Sequence, residues 1–152
     1  MLHRVGVEID REAQFAQPPR GVLARGVRHD GVLAAVGDGG LLMSLGELDT
    51  VARSGLPIVV AVFNDAAYGA ELHFLRMSGI RAETSQFPTT APLAPVAEAL
   101  GLSAMTVDDQ ASLDACRDML AAGVSGPTFV DFRITDGVRA AWLEEAFNRG
   151  TH

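Results

Sequence analysis

At 152 residues the chain has the size of one ordinary domain, long enough to bury a good core. Its 48% hydrophobic and 20% charged residues describe a soluble globular protein, and no apolar run approaches the roughly 20 residues that span a membrane. The net charge of −7, from 12 basic and 19 acidic residues, argues against a sequence-independent grip on nucleic acid, which needs a basic face. The basic start Met1-Leu2-His3-Arg4 is followed at once by acidic residues and no apolar stretch, so it does not read as a signal peptide. The single Cys116 excludes an internal disulfide and fits a reducing cytoplasm.

Residues 1–30 have no clear period, beyond a possible short helix beginning at Pro18-Pro19, and are set apart from a domain over 31–152. From there short apolar runs alternate with amphipathic segments, the pattern of an α/β fold: a three-layer parallel sheet with helices on both faces. Val32–Val36 predicts a strand. Residues 41–54 predict a helix with Leu41, Leu45, Leu48 and Ala52 on one face and Gly55 placed to stop it. The unbroken apolar run over 57–63 suits a central parallel strand covered on both faces. A helix follows from about Tyr68 to Arg76. The polar stretch from Met77 to Thr90 reads as a loop long enough to act as a mobile lid. Helix 92–100 turns Leu93, Val96, Ala97 and Leu100 to one side. Strand 102–107 leads to a helix from about 109 to 122, capped by Asp108 or Asp109 and carrying a Leu113, Cys116, Leu120 stripe in which Cys116 is an inert core thiol. Strand 127–132 and a last helix over 138–148, with Trp142 in a packing role, complete the order.

Two strand endings carry the functional signal. The first strand stops on Gly37-Asp38-Gly39-Gly40, the second on Asn64-Asp65-Ala66-Ala67. In an open parallel sheet ligands sit beyond the carboxyl ends of the strands, where connections diverge to opposite faces. Glycines let backbone approach a ligand, and a helix N-terminus favours an anion. Asp38 would repel a phosphate unless a cation lies between them. Mg²⁺ is the simplest bridge, a hard cation held by one or two carboxylates plus phosphate oxygens, with Asp65 as the second carboxylate and a turn carbonyl as a further oxygen. Either ending alone reads most simply as a turn or a helix cap. With 24 residues between Gly39 and Asn64, enough for one helix and one strand, the pair points to one site.

The segment 37–69, "GDGGLLMSLGELDTVARSGLPIVVAVFNDAAYG", resembles the motif of thiamine-diphosphate enzymes, in which Gly-Asp-Gly is followed at about this distance by Asn-Asn. It looks most like the acetolactate synthase and benzoylformate or pyruvate decarboxylase branch, and "PTFVDFRI" and "WLEEAF" are compatible with that branch's carboxyl-terminal domain. The resemblance implies thiamine diphosphate and Mg²⁺ as cofactors and a small 2-oxo acid as substrate. Asp38, Asp65 and the Ala67 carbonyl resemble the metal ligands, with Asp65 standing where Asn is more usual. Gly37, Gly39, Gly40 and Asn64 resemble the diphosphate lining, and Met43, Tyr68 and Gly69 would border the cofactor. Glu71 stands where the decarboxylases place a catalytic glutamate; the alternative is an exposed helix residue. His73 reads as a surface or interface histidine rather than a proton shuttle.

In this family the acid that serves the cofactor's pyrimidine ring lies on a separate pyrimidine-binding domain, usually of a neighbouring subunit. The resemblance therefore implies such a domain as partner, in a longer chain or another subunit, and a homo-oligomer. A poor match over "FAQPPRGVLARG" leaves a second expectation open: a truncated, non-catalytic relative serving as a binding or interaction module.

Overall fold

The computed structural model describes residues 31–88, 91–138 and Glu145. Strand β1 covers Val32–Gly37, β2 Ile58–Asn64, β3 Ser103–Val107 and β4 Thr128–Arg133. They form one four-stranded sheet in the order β1-β2-β4-β3, with every pair parallel. This is the α/β, helix-covered parallel sheet that the alternation predicts. The expected last helix, with Trp142, and the segment 1–30 lie outside the described residues. Among the described residues no helix is long and apolar enough to cross a membrane.

One face is packed by α1 (Asp38–Met43), α2 (Glu47–Ser54) and α4 (Leu93–Ala99), which bring Leu41, Leu48, Leu93, Ala94 and Ala97 against Val60, Val62 and Phe129. The other face takes α5 (Gln110–Ala122), with Cys116 against Val59, Val107 and Val130. Burial on both faces explains why β2 is apolar without alternation. Cys116 is 1% exposed, as its stripe predicts, but its stripe neighbours Leu113 and Leu120 are exposed. Only the middle of that stripe reaches the sheet.

The helix predicted over 41–54 is two helices. It begins earlier, at Asp38, and breaks at Ser44–Gly46, where Ser44 Oγ donates to the Gly40 carbonyl at 3.1 Å. Short i to i−3 backbone bonds tighten this turn. A serine bonded back to a carbonyl four residues earlier bends a helix, and the break turns α2 onto the core through Leu48. Gly55 ends α2 in the left-handed region, φ 62°. Helix α3 covers Gly69–Met77. On it Leu72 and His73 are buried, His73 at 8% exposure, which corrects the surface half of the expectation of a surface or interface histidine.

The stretch expected as a lid, of which residues 89 and 90 lie outside the described residues, is tied to the site at one end. Residues Glu83–Ser85 form a 3-10 turn. The next residues are stitched to the β2–α3 turn: Tyr68 N donates to Ser85 O at 2.8 Å, Phe87 N to Ala66 O at 2.7 Å, and Ala67 pairs with Gln86. Most of this pairing is main-chain, which a polar stretch without period does not signal; the side-chain part is the Phe87 ring against Tyr68.

Helix α5 shows which aspartate caps it. Asp109 accepts from Ser112 N at 2.7 Å, and Ser112 Oγ accepts from Asp109 N at 3.1 Å, a reciprocal capping box. Donation to it from the Ser112 amide first, and then from the Ser112 hydroxyl at 2.7 Å from Oδ1, holds the Asp109 carboxyl below its ordinary 3.8. A depressed folded value means the cap's contribution is present above the unfolded value and lost as pH falls through the folded one. Asp109→Ala is therefore expected to lower Tm at pH 7, with the gap to the parent closing on titration below pH 3.8; thermal unfolding across pH 2–7 (roughly the span of carboxylate titration) measures it, and a gap independent of pH contradicts the cap.

Candidate functional site

The register that pairs Gly37 with Phe63 sets the ends of β1 and β2 side by side. From β1 the chain enters α1 at once, so Asp38 sits in the first helical turn and is only 3% exposed. From β2 it passes Asp65 and a tight turn in which Ala66 is left-handed, φ 56°. It then enters α3 at Gly69 behind Tyr68. Both crossovers, through α1–α2 and through α4, return on the same face of the sheet, and the reversal comes only between β3 and β4. The expected divergence to opposite faces is thus not what opens the site. Two adjacent chain exits do.

Between those exits lies a cleft of about 420 Å³ lined by Gly37, Asp38, Gly39, Gly40, Met43, Asp65, Ala67, Tyr68, Gly69 and Glu71. These ten were singled out from sequence; three further residues also line it. Met43, 74% exposed, stands at the rim and not in the core. Glu71 is exposed in the first turn of α3 and opens on the cleft. Asn64 does not line it. Its side chain turns into the sheet, where Nδ2 donates to Asp131 Oδ1 at 3.0 Å and Oδ1 accepts from Ala66 N at 3.2 Å. His73 lies outside this cleft, beside Arg76 and Asp136.

Two glycines are required by contact. A Cβ on Gly39 would stand 2.6 Å from Tyr68 Cδ1 and 3.4 Å from the Ala67 carbonyl oxygen, so α1 and the β2–α3 turn touch here. Tyr68 cannot move freely aside, because its ring packs edge-on against Phe87 at 5.0 Å. A Cβ on Gly69 would stand 2.5 Å from Asp65 Oδ2, and the opposite oxygen, Oδ1, accepts from Ala67 N at 3.2 Å.

The electrostatics of the cleft are unbalanced. Burial pushes the Asp38 carboxyl above its ordinary 3.8, the charge of Asp65 pushes it further, and the amides of Gly39 and Asp38 at the helix start pull it back. Among the described residues no group of three or more histidine, cysteine, aspartate or glutamate side chains gathers as a metal cage. The donors are two carboxylates and the Ala67 carbonyl. That set does not suit a closed zinc site. It suits a hard cation that completes its shell with phosphate and water oxygens.

Sequence reasoning missed Phe63, Ala70 and Ile134 in the lining. It also missed Asp131 and Arg133, which stand behind Asn64. An aspartate inside the apolar run "PTFVDFRI" was the available signal, since a buried polar residue is the informative exception in a core strand.

Residues 20–132 match the family model described as the thiamine pyrophosphate enzyme, C-terminal TPP binding domain. The chain belongs to that family. Its fold is similar to that in the crystal structure of benzoylformate decarboxylase from Polynucleobacter necessarius, at 18% sequence identity and a TM-score of 0.65. The match covers 74% of this chain but 21% of the decarboxylase, so the TPP-binding domain corresponds to about a fifth of that chain. The family match begins at residue 20, within the stretch whose pattern is least legible.

The raised value of Asp38 carries a sign. An acid whose folded value lies above its unfolded one adds stability at low pH that is lost as pH rises through the folded value. In metal-free protein Asp38→Asn is therefore expected to raise Tm at pH 7 and to flatten the fall of Tm between pH 4 and 7 (roughly the window above an ordinary carboxylate). Thermal unfolding in chelator tests this, and a lower Tm for the variant would mean that the repulsion with Asp65 is already relieved.

Proposed function

We propose that this TPP-binding domain belongs to a 2-oxo-acid decarboxylase or acetolactate-synthase-like enzyme and holds its cofactor through Mg²⁺. The convergence of Asp38, Asp65 and the Ala67 carbonyl on one glycine-lined cleft supports this reading, because two facing carboxylates beside a diphosphate require a cation. Asp38, Asp65 and the Ala67 carbonyl would hold the metal. The backbone of Gly37, Gly39 and Gly40 would lie against the diphosphate, and Met43, Tyr68 and Gly69 would border the rest. When bound, thiamine diphosphate supplies a carbon nucleophile and an electron sink for a small 2-oxo acid.

Glu71 is the acid or base this chain offers to the reaction. It opens on the cleft from the start of α3, and its carboxyl oxygens can give or take a proton while Asp38 and Asp65 serve the metal. In the assembled enzyme Glu71→Gln should lower kcat by about 10²–10⁴-fold, the usual contribution of a positioned acid or base. Cofactor affinity should hardly move, and an equal loss in affinity would assign Glu71 to binding instead.

No second acidic residue among those of the cleft remains to serve the far end of the cofactor, so a pyrimidine-binding domain, in a longer chain or a partner subunit, must complete the site. Calorimetric titration should show thiamine diphosphate binding only with Mg²⁺ present, and Asp38→Ala should abolish it without unfolding the domain. The 152-residue chain, saturated with both, should not turn over pyruvate or benzoylformate. Metal-independent binding would sink the Mg²⁺ assignment, and robust turnover would sink the need for a second domain.

A further inference from the structure

Asp131 is 0% exposed, in the third-from-last position of β4, and neither the motif nor the cleft includes it. A carboxylate so placed is costly unless partnered, and here it has two partners. Asn64 Nδ2 donates to its Oδ1 at 3.0 Å. Arg133 Nη2 stands 2.7 Å from Oδ2, an ion pair off the line of a hydrogen bond, so that Oδ2 has no aligned donor. Arg133 is itself tied by a 3.2 Å donation to Ala91 O, at the entrance to α4. Burial pushes the Asp131 carboxyl up, and the Asn64 and Arg133 contacts pull it down.

The bond to Asp131 decides which way Asn64 faces. An amide has a donor end and an acceptor end. With Nδ2 directed to a carboxylate, Oδ1 is left to accept from Ala66 N at 3.2 Å. That bond sits at the turn residue whose left-handed φ of 56° is unfavourable for alanine. The next two residues along are Ala67 and Tyr68, whose peptide carries the carbonyl aimed at Gly39, while Asp65 is clamped through Ala67 N.

We infer that Asp131 is a positioning residue for the cofactor site: through Asn64 it holds the turn that sets the Asp65 carboxylate and the Ala67 carbonyl. The functional half of this rests on the cofactor reading above; the structural half does not. Arg133 holds Asp131 in turn, so the chain of contacts runs from the entrance of α4, through β4 and β2, to the cleft.

The test pairs Asp131→Leu, which keeps the volume and removes the acceptor, with Asp131→Asn, which keeps an acceptor oxygen. Amide exchange is followed in metal-free protein, and Mg²⁺–thiamine diphosphate affinity is measured by calorimetry. Asp131→Leu should speed exchange at Ala66 and Ala67 by about tenfold or more, the scale of one lost hydrogen bond to a charged group, with β3 and α5 unchanged. It should weaken cofactor binding by a similar factor, and Asp131→Asn should restore most of both. Should Asp131→Leu not fold, Asn64→Ala cuts the same link and should give the same local rise in exchange. Exchange at Ala66 and Ala67 that matches the parent, or that rises equally across the whole sheet without rescue by Asp131→Asn, overturns the assignment. A parent that binds no cofactor while Ala66 and Ala67 respond as expected would sink the cofactor reading and leave the positioning role standing.

Discussion

Two carboxylates that each favour being solvated and alone are held together by the chain. Asp38 is buried by the start of α1 and Asp65 is clamped by its own turn, and the parallel register of β1 on β2 sets them side by side. Nothing in the cleft among the described residues offers a positive side chain to balance them. The rest of the site is arranged around this constraint. Glycine at 39 and 69 removes the side chains that would collide with Tyr68 and Asp65, and the Tyr68–Phe87 contact keeps the β2–α3 turn from relaxing away. On the function proposed above, such a pair would trade stability of the metal-free fold for a grip on the cation, the usual tension between stability and function.

The turn that carries Asp65 and Ala67 is determined from several sides at once. Ala66 adopts a left-handed conformation without being glycine, and such strain persists only where surrounding structure over-determines it. Its N–H is bound by Asn64 and its carbonyl by Phe87 N, while Ala67 pairs with Gln86 and Tyr68 N with Ser85 O. Ser85–Phe87, within the segment expected to be a lid, form one wall of this clamp.

Much of the architecture was legible because β1 and β2 end within a residue of their apolar runs, and because Gly55 and Asp109 are chemically suited to the helix stop and start that they make. The split between α1 and α2 was not, because Leu41, Leu45 and Leu48 keep a helical spacing straight through a bend made by Ser44. His73 and Leu113 fail in opposite directions. The histidine is buried beside Leu72 and the leucine is exposed on α5, since position on a helix face, and not polarity, decides burial when only part of the face meets the sheet. At the cleft, residue identity and spacing pointed to the two acidic groups and the glycines. Asn64 was the instructive case: its proximity to the site is real, but its amide is engaged with a residue 67 positions later in the chain, a contact that no local pattern carries.

The rim of the cleft is apolar. Met43 is 74% exposed, Phe63 46% and Ile134 46%, three large apolar side chains around a polar floor. Phe63 has a partner in Phe132, stacked at 5.7 Å across β2 and β4, yet half its surface remains uncovered. Water alone gains nothing from such a rim, while an apolar ring or another domain's surface laid over it would be favoured by roughly 25 cal/mol for each Å² removed from solvent. On the function proposed above, the charged end of the cofactor is served by Asp38 and Asp65 at the floor, and its uncharged end meets this rim. The two halves of the cleft thus divide the recognition by chemistry. On that reading the floor would take the cation and the diphosphate, and the rim would take an apolar surface laid over them.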